Sequence, residues 1–173
     1  MDEHPAAPRD RFPQELVAFY GLTRLPREGG WYRRTWAGPE RPDGRPEGSA
    51  IVMLLTAEPG VFSALHRLPA DETWHFYRGD PLTLFLLSEG EPAKGRARTV
   101  VLGPDVLGGQ HVQFTVGAGT WMAAEVAAGG AWTLFGCTMA PGFTFADYEH
   151  GDAGRLTARF PHEAMRIGAL SRA

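Results

Sequence analysis

Histidine and carboxylate side chains suited to chemistry concentrate in one stretch, FSALHRLPADETWHFYRGD, where His66 is followed by Glu72, Trp74 and His75. His66 stands at the end of one expected strand and Glu72 at the start of the next, so a hairpin brings them together. Imidazole and carboxylate together either hold a divalent metal or move a proton at a carbon next to a carbonyl. A plain hydrogen bond between the two that fixes the hairpin is the structural alternative. Polar groups aimed into a small apolar interior are costly unless something uses them, which favours a functional pair. Period-two alternation sends Trp74 and Phe76 to the face of Glu72 and His75 to the opposite one, so His75 joins the pair only through a bulge.

The elements that must position these residues are short. From Ala50 onward, β-compatible runs such as AIVMLLT, VFSALHRL, TWHFYRG, LTLFLLS, RARTVVLG, HVQFTVG, GTWMAAEV and AWTLFGCTM alternate with Gly, Pro and Asp turns. That pattern predicts an all-β closed barrel or two-sheet jelly roll. Ahead of it, PQELVAFYGL (13–22) reads as one short helix ending at Gly21, and GGWYRRTWAG (29–38) as a first or edge strand. The charged Gly/Pro segment 38–49 is a candidate lid or a long surface turn. Residues 152–171 suit one or two short helices broken at Pro161 and packed outside the barrel. Residues 1–12 are polar and Pro-rich and are expected to be a mobile lead-in to a single domain over 13–173.

The 173 residues suffice for one core, and 22 Gly and 14 Pro suit many tight turns. A net charge of -3 without a basic block argues against nucleic acid as a partner. No run approaches the ~20 apolar residues of a membrane span. The opening MDEHPAAPRDR does not read as a secretory signal, and the single Cys137 can make neither an internal disulfide nor a multi-thiolate zinc site. A cytoplasmic location is expected. Cys137 lies in an apolar strand and is assigned no chemistry. Neither REGGW nor VGAGTW has dinucleotide or P-loop spacing.

The spacing around His66 resembles the first motif of the cupin superfamily, a His-x-His pair followed by Glu and then Gly: His66, Glu72 and Gly79 are in register, and Leu68 stands at the second histidine. TVGAGTWMAAEV is similar to the second motif, with Gly119 in register and Met122 at its histidine. Two of the four usual metal ligands are thus replaced. The words LPREGGWYRRTW, SAIVMLLT, VVLGP, GAGTWMAAE and WTLFGCTMAPGFTFADYE resemble the small branch called cupin family 5, over roughly 14–165. The resemblance implies a double-stranded β-helix barrel with a short N-terminal helix and short C-terminal helices, a pocket inside the barrel, and a homodimer. It also implies kinship with metal-free sugar epimerases that use a histidine base. Glu72 stands where those enzymes carry lysine, so their chemistry does not transfer intact. Pro26-Arg27, Arg34 and Met122 depart from the branch, and Gln113 agrees with it.

Three functions follow. The leading one is a metal-independent isomerase, epimerase, cyclase or lyase with His66 as general base, Glu72 as its partner, and a pocket drawn from Leu68, Trp74, His75, Trp121, Met122 and Phe143. The second is a non-catalytic binder of a small molecule. The third is a cupin oxygenase holding Fe, Ni, Mn or Zn on His66, Glu72 and His75. Glu28 is a turn carboxylate or part of the pocket rim; Arg33 and Arg34 are a strand edge, a dimer contact or a clamp for a substrate carboxylate or phosphate. His111 reads as an exposed neighbour, and His4, His150 and His162 lie in polar stretches without assigned roles.

Overall fold

A computed structural model describes residues 12–90 and 96–172. The expected mobile lead-in over 1–12 lies outside the described residues except for Phe12, which instead begins a helix. Helix α1 (Phe12–Tyr20) is followed by strands β1 (Thr23–Arg24), β2 (Trp31–Ala37), β3 (Ser49–Thr56), β4 (Ser63–Arg67), β5 (Glu72–Gly79), β6 (Leu82–Ser88), β7 (Arg96–Leu102), β8 (Gln113–Val116), β9 (Trp121–Val126), β10 (Trp132–Met139) and β11 (Glu149–His150). Helices α2 (Ala153–Arg159) and α3 (Ala164–Ala169) close the chain, separated by a 3-10 turn that starts at Pro161. The strands form two antiparallel sheets in the orders β1-β2-β3-β10-β5-β8 and β11-β4-β9-β6-β7. This is the jelly roll that the alternating pattern predicts.

Side-chain alternation builds three apolar layers from the same strands. Met53 and Leu55 of β3, Leu82, Leu84 and Leu86 of β6, Met122 and Ala124 of β9, and Phe135 and Cys137 of β10 point between the sheets. Their neighbours point outward. Phe85, Leu87, Trp121 and Ala123 meet Leu156, Phe160, Ile167 and Leu170 of the C-terminal segment. Leu54, Trp132 and Leu134 meet Leu16, Val17 and Tyr20 of α1. The strands read as nearly continuous apolar runs because each face is covered in turn.

Two glycines are required by backbone geometry. Gly79 ends β5 at φ +99°, and a Cβ there would run into the Trp132 carbonyl and indole. Gly29 has φ +104°, and its Cβ would lie 2.5 Å from the Phe62 carbonyl. Gly29 therefore lets the turn Leu25–Gly30 press against the start of β4, where Ala64 N–H donates to the Glu28 carbonyl at 2.8 Å.

The segment 38–49 is an ordered hairpin. Gly38 N–H donates to Gly48 O at 2.9 Å, and Arg41 N–H to Arg45 O at 2.8 Å. Arg45 makes a bidentate ion pair with Asp147, its Nη2 donating to Oδ1 at 2.8 Å, which clasps the hairpin to the 3-10 turn Phe145–Asp147.

Candidate functional site

Between the sheets, at the end bounded by that turn, lies a small cavity of about 40 Å³, room for a few water molecules. Glu28, Arg34, His66, Glu72 and Cys137 supply its ionisable groups. Leu25, Ile51, Leu68, Met139, Phe143 and Phe145 supply most of its apolar wall, and Tyr32 and Ser49 add hydroxyls. Ser49 Oγ accepts the Phe143 N–H at 2.9 Å, which holds one aromatic of the mouth against the barrel. Phe143 and Phe145 meet edge-to-face at 5.1 Å.

His66 is buried near the end of β4. Its Nδ1 lies 2.8 Å from the Ala64 carbonyl. A carbonyl only accepts, so Nδ1 carries the proton, and neutral His66 has its lone pair on Nε2. No hydrogen bond among the described residues engages Nε2. Tyr148 stacks on the ring at 5.3 Å and 19°. The Tyr148 hydroxyl lies 2.9 Å from His150 Nδ1, and His150 Nε2 donates to the Arg172 carbonyl at 3.3 Å, so the stacking residue is itself fixed.

Glu72 opens β5 and is also buried. Burial pushes its carboxyl up to about 7; the His66 charge opposes that shift, and Glu28 adds to it. Trp74 N–H and the Cys137 thiol lie near enough to favour the carboxylate weakly. Even so, neither Glu72 Oε2 nor Trp74 Nε1 completes a hydrogen bond of acceptable geometry. A buried carboxyl oxygen without a partner, in the wall of a cavity, is available to a ligand. Burial and the nearby Glu72 and Glu28 charges hold the Cys137 thiol well above its usual range, so it remains a thiol.

Of the residues expected to line the pocket, His66, Glu72, Leu68 and Phe143 do so. Trp74, His75, Trp121 and Met122 do not. Trp74 shares the inward face of Glu72 but is fully enclosed, stacked on Phe135 at 5.2 Å, and belongs to the core. Met122 also points inward and pairs with His66 across β4 and β9, but is covered. Trp121, its neighbour along β9, must point outward, where Nε1 donates to Glu89 Oε1 at 3.0 Å and Arg67 stacks 4.6 Å from the ring. His75 sits on the outer face of β5, with Nε2 2.8 Å from Thr138 Oγ1 and Nδ1 3.4 Å from Gln113 Nε2. The β5–β10 register does shift, but beyond His75: Phe76 pairs with Phe135 and Arg78 with Leu134, leaving Tyr77 as the bulged residue. The bulge that could have turned His75 inward is two residues too late.

Seven lining residues had no pocket role expected from the sequence: Leu25, Tyr32, Ser49, Ile51, Cys137, Met139 and Phe145. Alternation carried a signal for several, since Tyr32 and Arg34 must share one face of β2, and Ser49 and Ile51 one face of β3. Glu28 and Arg34, each read with alternatives, lie on the cavity wall. Arg33 faces the other way and donates to the Tyr20 carbonyl at 2.9 Å.

The residues match a family model described as "Cupin superfamily (DUF985)" over 14–151. The chain belongs to the cupin superfamily. A protein of Shewanella oneidensis is similar at 33% identity, with 92% of this chain and 96% of that one covered and a TM-score of 0.82. A hypothetical protein from Leishmania major is similar at 28% identity over 92% and 98% of the two chains, also with a TM-score of 0.82. Oxalate decarboxylase of Bacillus subtilis, at 17% identity and a TM-score of 0.52, shares the fold over 98% of this cupin and 47% of its own chain. The decarboxylase has Mn(II) centres. No curated protein matches.

The cupin ligand positions of this chain do not fit such a metal. Leu68 brings no donor atom, Met122 offers only a soft thioether unsuited to Mn(II), and His75 is on the far side of its sheet. Among the described residues, no three His, Cys, Asp or Glu side chains gather in a way that could hold a metal ion. Nor, among the described residues, is any helix long and apolar enough to cross a membrane.

Proposed function

We propose that this cupin catalyses metal-independent proton transfer on a small carbonyl compound, as an isomerase, epimerase, cyclase or lyase. The carrying observation is the His66 Nδ1 bond to the Ala64 carbonyl, which fixes the tautomer and leaves Nε2 as a base in the cavity. Nε2 removes a proton from the carbon beside the carbonyl. Electron density moves onto the carbonyl oxygen, and Glu72, protonated below about pH 7, supplies a proton or a hydrogen bond to it. Return of a proton to carbon completes an isomerisation or epimerisation; loss of a β-substituent completes a lyase reaction. The apolar wall keeps bulk water from the enolate. In this reading the protein works in the cytoplasm on a free small molecule, as the homodimer that the family resemblance implies.

The test is C–H to C–D exchange in deuterium oxide, followed by proton NMR with a panel of 2-oxo acids, keto sugars and cyclic ketones. Wild type is expected to exchange at least one class, unaffected by prior dialysis against a chelator. His66→Gln is expected to lose about 100- to 10,000-fold of that rate. Equal exchange by His66→Gln overturns the base assignment. Tight binding of a panel member without any exchange favours the non-catalytic binder.

A further inference from the structure

We infer that the pocket takes a carboxylate, and that Arg34 is the residue that selects it; the inference rests on reading this cavity as the functional site. Alternation on β2 sends Tyr32 and Arg34 to the cavity side and Trp31 and Arg33 to the α1 side. Arg33 is used by the fold, through the Tyr20 carbonyl. Arg34, exposed to solvent at the rim of the cavity, has no such use: among the described residues it forms no ion pair and no hydrogen bond, although other arginines are engaged. Arg45 pairs with Asp147, Arg67 with Glu149, and Arg172 with backbone carbonyls. A guanidinium carries five donors in a fixed fork that matches a carboxylate bidentately.

The other charges of the cavity set the valence of the ligand. Glu72 is neutral or half-ionised near pH 7, and Glu28 is partly committed, with Oε1 accepting from Ser63 Oγ at 2.6 Å. With two carboxyl groups, Glu28 and Glu72, and one arginine in the same wall, a second charge on the ligand, as on a phosphate, meets more repulsion than a monoanion does. The remaining wall is apolar. Phe143 and the half-exposed Phe145 stand at the mouth with Ile51 and Met139, so the part of the ligand at the mouth is apolar. The inferred class is therefore a small organic monocarboxylate with an apolar body, held by Arg34 while its carbonyl-activated C–H faces His66.

The probes are phenylpyruvate, phenylacetate and the neutral isostere phenylacetamide, titrated into the full chain by ligand-observed NMR. The carboxylates are expected to bind at least about tenfold more tightly than the amide, and Arg34→Gln to erase that ratio. Arg34→Lys is expected to restore part of it, while Arg33→Gln leaves it intact. Equal binding of acid and amide, no binding of either acid, or an unchanged ratio in Arg34→Gln overturns the inference. His66→Gln keeps the ratio while abolishing exchange, so failure of the proton-transfer reading shows up separately: carboxylate selectivity without exchange in wild type sinks that reading alone.

Discussion

The two histidines of the 62–80 stretch sit on opposite sides of a sheet and end with opposite fates. His75 is satisfied at both nitrogens, by Thr138 and Gln113, and partial burial lowers its pKa. His66 is satisfied at one nitrogen by its own strand and offers the other to a cavity that also contains an unpartnered carboxyl. A polar group whose valences are filled by protein is there for the fold, whereas a buried one left open is there for something that arrives. Alternation along β5 already points to the difference, since it sets His75 on the face opposite Glu72.

The largest expected effect is on the open side: His66→Gln removes about 100-fold or more of turnover, while His75→Gln leaves turnover within about twofold. Parity of the two variants in the exchange assay breaks the comparison. Next comes the pH response of Glu72. Its folded pKa of about 7 lies above the ordinary 4.5, so the folded state holds its proton longer. Its contribution to stability is full below about pH 4.5 and is lost as pH rises through about 7, by roughly 3 kcal/mol. Glu72→Gln flattens that slope and raises stability at pH 8 relative to wild type, measured by urea unfolding at several pH values. The same ionisation removes the acid of the proposed reaction, so turnover of the wild type also declines above about pH 7. Smaller again, Arg45→Ala frees the hairpin from Asp147 and raises KM more than it lowers kcat, read from steady-state kinetics. The smallest is His75→Ala, about 1 kcal/mol from the Thr138 bond, visible in urea denaturation alone.

The barrel was legible because period-two runs such as WTLFGCTM commit alternate residues to opposite faces whatever the partner strands are. The pair His66 and Glu72 was legible through the family spacing, but not as the expected hairpin: β4 and β5 belong to different sheets, and the short link between them arches from one sheet to the other so that the two side chains face across the barrel. Trp121 and Met122 show where the sequence reading overreached, since neighbours along a regular strand cannot both face one pocket. Trp74 has the inward direction but not the depth, which depends on Phe135 from a strand sixty residues away. Arg34 had an identifiable face-mate in Tyr32, but which face of β2 turns inward is decided by its pairing with β3 and by the arrival of α1 on the other side. Glu28 and Phe145 come from a turn and a 3-10 segment, whose paths follow from contacts distant in sequence, such as Arg45 with Asp147.

Strand β10 lies between β3 and β5 and hydrogen-bonds to both. During synthesis, His66 and Glu72 leave the ribosome close together, but the strand that joins Glu72's β5 to β3 emerges only at residues 132–139, and the aromatic mouth later still. A nascent chain stopped before β10 therefore carries Glu72 on an unpaired edge of β5, with β3 not yet joined to it, and both edges are exposed to pairing with other chains. The reactive geometry comes into being at one late event, the insertion of that strand, and any segment competing for its slot prevents the pocket from forming at all.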